Sequence, residues 1–139
     1  METSGLLRHK IIKNLMIPHT EKVSDVAIVL WEKMAEKIIS IVGEDGFNSL
    51  YARSVFLTQP TFPWLAASAL SPQADHRFAT LKKCFVEQAP AQASAANSLL
   101  LLTFTDILAS LIGEQLTTRI LRSAWGNDAS ESGRQGIQK

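Results

Sequence analysis

VSDVAIVLWEKMAEKIISIV, residues 23–42, decides the class of fold. Its apolar residues Val23, Ala27, Leu30, Met34, Ile38 and Ile41 recur at intervals of 4, 3, 4, 4 and 3. That period belongs to one face of an α-helix and not to a strand. Trp31, Ala35 and Val42 widen the stripe, and Glu32, Lys33, Glu36 and Lys37 fall on the outer side. The spacing predicts a helix over Thr20–Val42, starting at Thr20 or Ser24. Gly43-Glu44-Asp45-Gly46 then predicts a turn or sharp kink, because two glycines in four residues interrupt a helix.

Downstream, Phe47, Leu50, Tyr51 and Val55 predict a helix from Phe47 to about Leu57. Two prolines make residues 58–63 a loop. Trp64–Leu70 reads as a short helix with Thr61 as its cap and Pro63 in its first turn. Ser71-Pro72 opens a fourth segment that continues through Phe78, Leu81 and Phe85 to Gln88. The last segment is expected to run from Gln92 to Trp125, with Gly126 as its stop. It is one rod of about 50 Å unless Gly113 breaks it. Upstream, Leu7, Ile11 and Leu15 mark a short amphipathic helix from Ser4 to Met16, ended by Pro18. Arg8, His9, Lys10 and Lys13 give it a solvated basic face.

No segment alternates as a surface strand does. The expectation is an all-α fold: a compact bundle of five or six helices with two long core helices, in one domain over residues 1–126. Residues 127–139 read as a flexible tail. The chain has 139 residues, enough for one domain with a sizeable core. Residues 1–37 hold eleven charges and residues 91–112 hold one, Asp106, so the first part reads as an outer layer and the second as an inner element.

A net charge of +1 supplies no field to draw the chain to nucleic acid. The start of the chain lacks the unbroken apolar run of a secretory leader. Ser98–Gly113, the most apolar later stretch, is shorter than the ~20 residues of a bilayer span and contains Asp106. We therefore expect a cytoplasmic protein without a membrane span. A single cysteine, Cys84, excludes an intramolecular disulfide and a cysteine-rich zinc site within one chain. The histidines, His9, His19 and His76, lack the i, i+4 spacing of paired metal ligands. No nucleophile motif, phosphate loop or dinucleotide glycine pattern is present, so neither a cofactor nor a metal is expected.

One internal echo stands out. Ile41-Val42-Gly43-Glu44 resembles Leu111-Ile112-Gly113-Glu114 at a separation of 70 residues. Each is followed by an Arg-Ser pair, Arg53-Ser54 and Arg122-Ser123. Both glycines are expected at kinks or close helix crossings, and the echo fits either a duplicated hairpin or chance. Asp106, Tyr51, Arg53, Glu44 and Glu114 form the candidate buried polar or ligand site, with Asp106 or Tyr51 as the polar handle of a cavity. Phe62 and Trp64, in the tetrapeptide Phe62-Pro63-Trp64-Leu65, form the candidate partner surface.

The functional expectation is a non-enzymatic interaction or regulatory module that acts as a homodimer. Leu99–Leu102 and the residues after them point all round the last helix, and such a helix must be surrounded, so the dimer contact is expected through the Ser98–Trp125 helix with help from Val23–Ile41. The alternative is a sensor that binds a small apolar ligand between helices.

Overall fold

A computed structural model describes residues 9–12, 23–70 and 76–125. The expected Ser71-Pro72 helix start, the Pro18 stop, most of the Ser4–Met16 helix and the tail over 127–139 lie outside the described residues. The described residues are helical with short connections and no strand, as the periodicity requires. Helix α1 is Val23–Thr58, followed by a 3₁₀ turn at Pro63–Ala67; α2 is Ala79–Val86, α3 Pro90–Ile112 and α4 Glu114–Trp125. Residues 9–12 are also helical, with Ile11 and Ile12 buried in the common core.

Both long helices turn a corner at glycine. Gly43 lies at φ 84°, ψ 166° inside α1, and Gly113 at φ 99°, ψ 150° between α3 and α4. This region is accessible essentially to glycine alone, because a Cβ would collide with the residue's own backbone. The continuous rod expected over Gln92–Trp125 is therefore two helices. The four-residue turn expected at 43–46 is a single residue, and α1 resumes at Glu44.

The glycines do not serve close crossings: a Cβ built at Gly43 or Gly113 meets nothing within 4 Å. Close approach occurs at Gly46 instead, where a Cβ would stand 3.0 Å from Cβ of Val42 across the corner. The 3₁₀ turn also departs from expectation at its cap. Phe62, not Thr61, holds the cap position and makes no side-chain cap bond, while Pro63 opens the turn. Pro90 begins α3, two residues before the expected Gln92, since a first-turn proline has no amide to waste.

Trp31 occupies the centre of the core. Its ring packs edge-on against Tyr51 at 5.5 Å and Phe104 at 5.3 Å, and lies 5.7 Å from Phe78. Phe47 joins the cluster, 5.2 Å from Phe104. Edge-to-face pairs set the positive ring edge against a negative face, which fixes the relative rotation of α1 and α3. Two indoles bury polar tips with partners: Trp31 Nε1 donates to Asn97 Oδ1 at 2.7 Å, and Trp125 Nε1 donates to the Leu30 carbonyl at 2.9 Å. The first ties α1 to α3 and the second ties α4 back onto α1.

Candidate functional site

The five polar residues singled out in the sequence do not gather into one visible constellation. Glu44 is the first residue after the Gly43 corner, where a carboxylate complements a helix N-terminus. It is exposed and accepts from Arg77 Nη2 at 2.8 Å. Glu114 holds the corresponding place after Gly113 and is half-buried. Asp106 is exposed on α3, with Oδ1 3.0 Å from His9 Nε2. That contact ties His9 to α3. Arg53 projects from α1 with its guanidinium 5.8 Å from the ring centre of Phe56. Each of these contacts reaches a residue outside the proposed set.

Tyr51 is deeply buried. Its hydroxyl donates to the Ser68 carbonyl at 2.8 Å and lies 3.2 Å from Ser68 Oγ, which in turn donates to the Leu65 carbonyl. Burial pushes the phenol far above its ordinary range, against a smaller lowering by Ser68. The group is a neutral clasp between α1 and the loop, committed to its own chain. Cys84 is likewise pushed up, first by burial and next by the charge of Glu87, with Lys83 acting the other way. A thiol so placed is a poor nucleophile. Among the described residues no three His, Cys, Asp or Glu side chains gather as a metal site would require.

Beside Tyr51 opens a groove of about 450 Å³, lined by Asn48, Ala52, Val55, Ala66, Ala69 and Leu70 as well as the tyrosine. It lies between the second half of α1 and the 3₁₀ turn. Its small alanines leave the space, and Asn48 is its polar side chain. A second groove of about 490 Å³ is lined by Phe56, Leu57, Gln59, Pro60 and Pro63.

Phe62 and Trp64 face each other at 5.9 Å, half-buried, and Trp64 packs on Phe85 at 6.1 Å; both lean on the core. The aromatic displayed to solvent is Phe56, 62% exposed, with Leu57 beside it. The signal was present in the sequence: Phe47, Leu50, Tyr51 and Ser54 define the inner stripe, and Phe56 and Leu57 fall off it.

Helix α3 carries eight buried residues, Phe104 and Asn97 among them. By length and composition it could cross a membrane, and 39% of its most apolar window is buried here. Its ties to Trp31 engage it in the helical core.

No protein family, curated relative or solved structure matches this chain.

Proposed function

We propose that the chain is a non-enzymatic helical interaction module that acts as a homodimer. The observation that supports this reading best is the apolar edge at the end of α1. Phe56 stands 62% exposed beside Leu57, and the groove bordered by Pro60 and Pro63 lies next to it. A phenyl ring in water forgoes most of the gain of burying it, and a rigid proline-edged surface loses little entropy on contact. The dimer contact expected on the Ser98–Trp125 helix cannot run along one straight rod, because the chain bends at Gly113, and the Phe56 edge is the surface this reading uses instead. Light scattering at micromolar concentration tests the reading. The expected mass is twice the 15.3 kDa of one chain, falling to a single chain in Phe56→Glu. A wild-type mass of one chain refutes it.

The groove beside Tyr51 favours a second reading, a sensor for a small apolar ligand. Its volume lies within the ~300–1,000 Å³ usual for small-molecule sites. Asn48, rather than the committed Tyr51 or the distant Asp106, supplies the polar handle. Native mass spectrometry separates the readings: retained ligand adds mass, and Ala52→Phe, which fills the groove, removes it.

A further inference from the structure

The two glycine corners belong to one repeated design. The echo extends one residue upstream, to Ser40 and Ser110, and each serine donates its hydroxyl at 2.6 Å to the carbonyl three residues back, Lys37 and Ile107. Ile41 and Leu111, the next residues, are both left in solvent at 49% and 66% exposure. Burial repeats as well. Of the twelve buried residues from Val23 to Ser54, eleven have a buried counterpart 70 positions later, such as Met34 with Phe104 and Tyr51 with Leu121; Ile28 is the exception. The described residues thus contain two helix–glycine–helix units, each bent at its glycine.

The arms differ in how they are held. The arm after Gly43 continues through the Pro63–Ala67 turn to α2, and Tyr51 clasps it to Ser68. The arm after Gly113 is α4, which packs on α1 as well as on α3 and is pinned by Trp125 at the Leu30 carbonyl. Helical bonding runs up to Gly113 from both sides. Its amide donates to the Ala109 carbonyl at 2.9 Å, and its carbonyl accepts the Thr117 amide at 3.1 Å and the Thr117 hydroxyl at 2.8 Å. One residue's φ and ψ therefore separate the corner from a continuous helix.

We propose that Gly113 is an exchange hinge: when it straightens, α4 leaves its own α1 and docks on the α1 of a second copy of this chain. The swapped pair remakes every arm contact, so the balance between closed and exchanged forms rests on the hinge residue. Straightened, residues 90–125 form one helix of about 54 Å, too extended for α4 to reach its own α1. This inference does not depend on the Phe56 edge. A face-to-face dimer dissociates on dilution, whereas a swapped one separates only when the arms undock.

Gly113→Ala in the full chain tests it, because alanine is barred from the corner conformation and favours the helix. Light scattering is combined with subunit exchange between two differently labelled samples. The expected result is a species of twice the wild-type mass, or a dimer of unchanged mass whose exchange slows at least 100-fold. Gly43→Ala is expected to keep the wild-type mass and exchange rate. A Gly113→Ala protein with wild-type mass and exchange overturns the proposal. Should that variant not fold, the wild-type chain refolded at high and at low concentration decides. A slowly exchanging dimer from the concentrated sample alone supports the hinge, and its absence overturns it.

Discussion

The hydroxyl of Tyr51 ties α1 to the segment that follows the 3₁₀ turn. Removing it in Tyr51→Phe leaves the Ser68 carbonyl without that donor and is expected to cost ~1 kcal/mol in urea unfolding. The same residue predicts a pH dependence. Its folded-state value is raised above the ordinary 10.0, so the unfolded chain gives up the proton first. The stabilisation is complete below pH ~10 and is lost as pH rises beyond it. Compared with wild type, Tyr51→Phe is expected to lose stability less steeply above pH 10, measured by urea midpoints across an alkaline series. A parallel fall in both proteins counts against the clasp. Asn97 is the second test at this scale. Asn97→Leu strands the buried Trp31 N–H, a penalty of ~1–3 kcal/mol that the added apolar surface offsets only in part.

Helices were legible from periodicity because their buried stripes are long: Val23 to Ile38 repeats over four turns, and only Ile41 at the end of the expected stripe turns out to solvent. The kink at Gly43 was legible from its glycine pair, but the break at Gly113 was not, because a single glycine in an apolar helix has several possible uses and only the backbone distinguishes them. Close packing was a reasonable expectation at Gly43 and holds instead at Gly46. The two positions call for opposite accounts of an alanine. Gly43→Ala is expected to destabilise by ~1–3 kcal/mol through its barred conformation. Gly46→Ala sits within a helix, where alanine gains ~1 kcal/mol, but its Cβ would stand 3.0 Å from Cβ of Val42. The expected outcome is no stabilisation in Gly46→Ala alone and recovery of the gain in a Val42→Ala background, read as a double-mutant cycle. Additive effects would show that the corner leaves room.

Across the whole molecule, hydrophobic patterning announced one core, and the structure supplies it around Trp31. The candidate site was less legible. A sequence does not disclose which charges meet across the fold. Asp106 met His9, 97 residues away, and Glu44 met Arg77. The apolar surplus of α3 is absorbed in part by its own chain, through Trp31 and the 9–12 piece. Phe56, 62% exposed, is turned away from that core.

Trp125 also equips the molecule with an optical gauge. An indole that is buried and hydrogen-bonded to a carbonyl emits differently from one in water, and Trp31 lies in the same core, 0% exposed. In a Trp64→Phe background the emission comes from these two rings alone. Departure of α4 is then expected to shift the Trp125 component to the red while Trp31 keeps its blue emission. Global unfolding shifts both. Two successive spectral changes on gentle denaturation would report the arm lifting before the core opens, and one concerted change would show that arm and core share a single cooperative unit.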